Sequence, residues 1–111
     1  MFRVRFSADS NKNCTFQALF KGKEGTYPLL AIANLNGHPS RLKFESVSYT
    51  ISEGCEVELF WDQNDPFMVL SGRGFIKFDG GIHTERENVQ ILNCFVKSEG
   101  TVCLFLDAEK Q

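Results

Sequence analysis

Little in this chain can perform acid–base or metal chemistry. It holds two histidines in 111 residues, His38 and His83, each alone in a polar, turn-rich stretch. General acid–base or nucleophilic catalysis needs a base beside a nucleophile and a third group to orient it, and that supply is missing. A metal-binding cupin would need an H-x-H on one strand plus a carboxylate, and no such pair is present. The G-x-S-x-G elbow, the P-loop and the H-E-x-x-H zinc helix are absent as well. Four cysteines, Cys14, Cys55, Cys94 and Cys103, stand 41, 39 and 9 residues apart without a C-x-x-C pair, which argues against structural zinc. Each sits among apolar neighbours, where a reduced thiol behaves as a small hydrophobe. The reading is a protein that is not an enzyme, with no cofactor, no metal and no small-molecule substrate.

Charge and hydropathy remove two further partners. Twelve basic against 14 acidic side chains give a formal charge of −2, the wrong sign for a protein that lives on phosphate backbones. No apolar run approaches the roughly 18 to 20 residues that cross a bilayer. The opening Met-Phe-Arg-Val-Arg-Phe has the pattern of neither a secretory nor a transit signal. Nucleic acid and membrane are set aside, and the expectation is a soluble chain made in a cytoplasm.

What is present is period-two alternation, with no helical stripe held for three turns. Phe2, Val4 and Phe6 alternate with Arg3 and Arg5, and the turn residues from Ser7 to Asn13 close that strand. Cys14, Phe16, Ala18 and Phe20 share one face of a second strand, with Thr15, Gln17 and Leu19 on the other. Lys21 to Gly25 reads as a hairpin loop, Leu29 to Ala33 as a short strand, and Asn34 to Ser40 as a loop. Leu42 and Phe44 are out of phase with Val47, Tyr49 and Ile51, which predicts a bulge at Glu45 and Ser46. Ser52-Glu53-Gly54 and Ser98-Glu99-Gly100 repeat one triplet, and both fit a hairpin whose glycine is left-handed. Asp79-Gly80-Gly81 reads as a turn, Ile82 to Asn88 as an exposed loop, and Val89 to Lys97 with Thr101 to Leu106 as a final hairpin. Eight or nine short strands predict an all-β fold, an antiparallel β-sandwich with jelly-roll-like or barrel-like variants. One domain is expected over residues 1–106, followed by a polar tail at 107–111.

Eleven phenylalanines fill a small sandwich well, but parity sends some apolar groups outward. Phe60 shares its face with Glu56 and Glu58, Phe105 shares its face with Cys103, and Leu19 with Gln17. Leu19, Phe60, Cys103 and Phe105 are therefore the candidate interface residues. The final two segments, apolar on both faces through Leu92, Cys94, Val96, Cys103 and Phe105, call for cover by another subunit. The partners expected are further copies in a homo-oligomer, a major shell protein, or both.

The alternative is a ligand-binding module in the Trp61 to Asp65 region, where an aromatic beside Asp62, Gln63, Asn64 and Asp65 could take a carbohydrate or calcium. Parity places Trp61 with Val57 and Leu59 in the core. The EF-hand spacing is not met. Arg73-Gly74-Phe75 with Ile76-Lys77-Phe78 is similar to the two ends of an RNA-recognition strand motif. The second aromatic motif and the helices of that fold are missing.

Three segments together resemble a family. They are Arg5 to Gly22 (Arg-Phe-Ser-Ala-Asp-Ser-Asn-Lys-Asn-Cys-Thr-Phe-Gln-Ala-Leu-Phe-Lys-Gly), Glu56-Val57-Glu58-Leu59-Phe60-Trp61-Asp62 and Leu70-Ser71-Gly72-Arg73-Gly74. They resemble small virion structural proteins of tailed phages, compact all-β proteins that decorate or cement the capsid or sit at the neck and tail. The resemblance implies a role without catalysis, in which many copies dock on a symmetric shell, first in the host cytoplasm and then in the virion. It carries over no functional residue, and the four cysteines and the Ile82 to Asn88 segment have no counterpart in it.

Overall fold

The computed structural model describes residues 2–37, 39, 41–63, 65–83 and 91–111. Among these the chain forms nine strands: β1 (Phe2–Asp9), β2 (Asn13–Gly22), β3 (Gly25–Ala31), β4 (Leu42–Ile51), β5 (Glu56–Trp61), β6 (Met68–Ser71), β7 (Arg73–His83), β8 (Ile91–Val96) and β9 (Gly100–Lys110). A 3-10 turn at Ile32–Asn34 follows β3. In β9, Val102, Leu104, Leu106 and Ala108 are buried while the residues between them are open or half-open. In β2, Cys14, Phe16, Ala18 and Phe20 are buried in the same rhythm. A segment alternating in this way buries one face only as a strand. The all-β expectation holds.

All strand pairs are antiparallel, in two sheets of order β1-β2-β9-β4-β7 and β3-β8-β5-β6. The pairings nest: β5 with β6, β4 with β7, β3 with β8 and β2 with β9, as along one long hairpin. That doubled ribbon is coiled, so that β4 also meets β9 and β5 also meets β8. Eight strands coiled in this order make a jelly roll, with β1 added outside β2. A single apolar cluster draws on both sheets, and rings join them. Phe44 of β4 stacks on Trp61 of β5 with centroids 5.8 Å apart, and Phe20 of β2 lies 4.9 Å from Tyr27 of β3.

Coiling puts most successive strands into different sheets, and this corrects the expected hairpins. Lys23 and Glu24 form a corner from β2 to β3 rather than a hairpin loop. The expected final hairpin is absent, because β8 and β9 lie in opposite sheets. Leu92, Cys94 and Val96 accordingly face the core. The two Ser-Glu-Gly triplets are corners of this kind and pack against each other. Ser98 Oγ donates to Gly54 O at 2.8 Å, Thr101 N donates to Ser52 Oγ at 2.9 Å, and Cys55 Sγ donates to Ser98 O at 3.2 Å. Gly54 has the expected left-handed φ, 80°. Gly100 is glycine for room instead, since a Cβ there would lie 2.5 Å from Ser52 Oγ and 2.7 Å from Cys55 Cβ.

The bulge predicted from phase is present. Phe44 pairs with Ala108 and Ser46 with Asp107, so Glu45 is the extra residue that returns Val47 and Ile51 to the core. On its other side β4 pairs Phe44 with Ile82 and Ser46 with Lys77. The Asp79-Gly80-Gly81 stretch is thus a wide bulge inside β7, not a chain reversal. Ile82 and His83 close β7 rather than opening a loop, and residues 84–90 lie outside the described residues. In β1, Phe2 rests on Phe20 and Tyr27, and Phe6 on Phe16, yet both rings stay about half exposed. Five strands face four, so the outermost strand is only partly covered.

The expected tail is also corrected. Asp107 to Lys110 continue β9, and Lys110 is buried. Its ammonium contacts Asp9 Oδ1 and Ser10 O and donates to Asn36 O at 2.8 Å. Asn36 in turn donates from its side-chain amide to Asp9 O at 2.9 Å. The end of β9, the β1–β2 turn and the segment after β3 are therefore tied at one buried cation.

Lys110→Ala should lower the unfolding free energy by about 1–3 kcal/mol in urea titrations, because the half-buried Asp9 carboxylate and the Ser10 and Asn36 carbonyls lose their shared donor; a loss under about 0.5 kcal/mol would show that this ion pair does not tie the three segments. Gly100→Ala should cost about 1–3 kcal/mol by overpacking the paired corners.

Candidate interaction surface on the five-stranded sheet

The register places side chains of five strands in rows across the outward face of the β1-β2-β9-β4-β7 sheet. One row runs Arg3, Leu19, Cys103, Thr50, Arg73, and the next runs Arg5, Gln17, Phe105, Ser48, Phe75. A third runs Ala8, Thr15, Asp107, Ser46, Lys77. Directly opposed residues in such rows have Cβ atoms about 4.5–5.5 Å apart, so Leu19 adjoins Cys103 and their neighbours in the next row are Gln17 and Phe105. Leu19 is 46% exposed, Phe105 41% and Phe75 65%. Gln17 Nε2 lies 3.8 Å from Cys103 Sγ and closes the space between the rows. The result is an open apolar band with cations at both strand edges of the sheet, Arg3 and Arg5 on β1 and Arg73 and Lys77 on β7. In these rows four cations face one carboxylate, Asp107, which accepts from Thr15 Oγ1 at 3.1 Å.

Three of the four candidate interface residues, Leu19, Cys103 and Phe105, therefore share one surface. Phe60 does not join them. It lies half-buried on the outward face of the other sheet, opposite Asn93. There Thr26, Phe95, Glu58 and Val69 form a row, with Glu56 in the next, and Val69 is 53% exposed. Lys97 donates to Glu56 Oε1 at 3.1 Å and lies 3.8 Å from Glu58 Oε2. The hydrogen bond to Glu56 and the two negative charges raise its pKa. Phe75 escaped the sequence reading because Phe75, Ile76 and Phe78 present apolar groups to both faces of β7. The alternation of Arg73, Phe75 and Lys77 was the signal for its outward side.

The ligand-binding alternative loses its ring. Trp61 is buried against Phe44 and Phe67, stacked at 5.8 and 6.4 Å. Asp62, at φ 50°, accepts from Ile91 N through Oδ1 at 2.9 Å and from Asn93 Nδ2 through its carbonyl at 3.0 Å. Those bonds fasten the start of β8. His38 and Asn64 lie outside the described residues. Among the described residues no group of three or more His, Cys, Asp or Glu could hold a metal ion, and no helix is long and apolar enough to cross a membrane. An open depression at the β7 bulge is lined by Lys43, Glu45, Lys77, Phe78, Gly80 and Gly81. Burial pushes the Cys14 thiol up to about 11 and the Cys94 thiol up to about 12, so both stay protonated and unreactive near neutrality. No protein-family model, curated protein or solved structure matches the chain.

At pH 8 a thiol reagent should label Cys103 first in the native protein, and all four cysteines in denaturant; prompt labelling of Cys14 or Cys94 would contradict their burial. The folded thiols of Cys14 and Cys94 titrate above their ordinary value of 9.0. The stability they contribute is therefore whole below about pH 9 and lost as pH climbs toward 11 and 12. Cys94→Ala should flatten that alkaline decline, measured as urea midpoint against pH.

Proposed function

We propose that this chain is a structural assembly protein without catalytic activity, working in multiple copies through the outward face of its five-stranded sheet. The observation that carries the reading is the open band of Leu19, Cys103, Phe105 and Phe75 on a strand array whose inner face is already closed. Val102, Leu104 and Leu106, which alternate with the outward pair on β9, are fully buried. The interior has no place for the outward rings; burying one from full exposure is worth roughly 1.5–3 kcal/mol, of which a 41% exposed Phe105 has about half still to gain. Leu19, Cys103 and Phe105 adjoin and Phe75 stands one strand away across Ser48; exposed apolar groups gathered in this way are what protein contacts bury. The resemblance to virion structural proteins of tailed phages supports the same reading and supplies its setting, copies placed on a capsid as decoration or cement. Jelly rolls serve in viral shells and also in lectins and cupins, so the fold alone would not choose among them.

In sedimentation velocity over rising concentration, the wild-type chain should exceed its single-chain mass of 12.6 kDa. Phe105→Asp and Leu19→Asp should hold it at that mass with an unchanged far-UV circular dichroism spectrum. A wild-type chain that stays single throughout would overturn the reading; unfolding by Phe105→Asp would mean that the ring belongs to the core.

A further inference from the structure

The two outward faces of the sandwich carry opposite charge around similar apolar centres. On the five-stranded sheet, Arg3, Arg5, Arg73 and Lys77 flank Leu19, Phe105 and Phe75, with Asp107 in the same rows and, in the next row, Glu109 paired with Lys43 at 3.1 Å. On the four-stranded sheet, Glu56 and Glu58 share the single ammonium of Lys97 beside Phe60, Phe95 and Val69. The corners at the same end of β5 and β8 add Glu53 and Glu99, both exposed. A symmetric contact of either face with its own copy would oppose like charges, four cations against four or carboxylates against carboxylates. A contact between unlike faces pairs them and still brings ring against aliphatic surface.

We infer that the partner of the cationic face is the acidic outward face of the four-stranded sheet of a second copy, so that copies stack head to tail. This deepens the proposed assembly role and rests on it. The contact is heterologous, with two different patches of one chain meeting. The two faces look away from each other, so the contact repeats, and each stack ends with one cationic and one acidic face uncovered. Phe60, separated from Leu19, Cys103 and Phe105 in the single chain, meets them across this contact.

Charge reversal in two sets tests the inference. Arg5→Glu with Lys77→Glu makes both faces acidic, and Glu56→Lys with Glu58→Lys makes both cationic. Each variant alone should sediment as a single chain. An equimolar mixture should recover the wild-type mass, because each cationic face then meets an acidic one. Recovery also certifies that both variants are folded, and the milder pair Arg5→Glu and Glu58→Lys serves if either double variant loses its circular dichroism spectrum. Raised ionic strength should shift the wild-type protein toward single chains.

An oligomer that dissolves with Phe105→Asp but ignores the Glu56 and Glu58 reversal overturns the head-to-tail contact and leaves the assembly role standing. Failure of the folded variants to recover on mixing overturns it equally. A wild-type chain that remains single at all concentrations overturns both. A poly-dT oligonucleotide that binds the wild type and fails to bind Phe105→Asp would assign the cationic face to single-stranded nucleic acid instead.

Discussion

The parity of β9 is the constraint on which the rest of the molecule depends. This strand is hydrogen-bonded on both sides, to β2 and to β4, along almost its whole length. Val102, Leu104, Leu106 and Ala108 point into the core with 0–1% exposure, and the buried Lys110 continues that inward series to the half-buried carboxylate of Asp9. A one-residue slip would turn all five outward and bring Cys103, Phe105, Asp107 and Glu109 in. Two carboxylates in the interior would be far costlier than the exposed ring that the correct register leaves. The apolar band on the outside is thus a consequence of a register fixed from the inside, in which Phe105 occupies the only side left to it.

Parity is also what the amino-acid sequence displays by itself, and its reach sets how much of the fold is legible there. Alternation gave the strands, the core side of β2 and β9, the break at Glu45, and the outward direction of Leu19, Cys103 and Phe105. It says nothing about which strand is a neighbour. Phe60 obeys the same rule as Phe105, yet it faces out from the opposite sheet. Turn chemistry has the same blindness: Ser-Glu-Gly marks a change of direction equally well in a hairpin and in a corner between sheets. Asp79-Gly80-Gly81 shows the converse, since two left-handed glycines made a bulge while the strand ran on. Lys110 falls in the expected polar tail because its three oxygen partners come from Asp9, Ser10 and Asn36, about 75 to 100 residues away in sequence, where no local pattern announces them.

The net charge of −2 conceals a division that only the register displays. Arg3 and Arg5 lie on β1 and Arg73 and Lys77 on β7, far apart in sequence and at opposite edges of one sheet. Composition placed these among 12 basic residues balanced by 14 acidic ones. Among the described residues, cations predominate on the outward face of the five-stranded sheet and carboxylates on that of the four-stranded sheet. A mean over the chain is a poor guide to partners when the fold segregates its charges in this way.

Those edge positions also bear on how copies can meet. An open sheet edge is the ordinary route by which β proteins associate, and it is blunted by charge, proline, bulges or shortness. Each of the four edges here carries such a device. β1 bears Arg3 and Arg5 and a register shift between Phe6 and Ala8. β7 bears Arg73 and Lys77 and the wide bulge before Ile82. β3 contains Pro28 with a register shift beside it, and β6 is four residues long. With every edge blunted in this way, backbone pairing is disfavoured, and the exposed side chains of the faces and of the partly covered β1 are the surfaces that the proposed assembly can use. The more exposed of the two faces joins apolar side chains from β2, β9 and β7 through a register that burial on the other side holds fixed. A contact on such a face is specified by the core, because the residues that would form it cannot move without unpacking the strands that carry them.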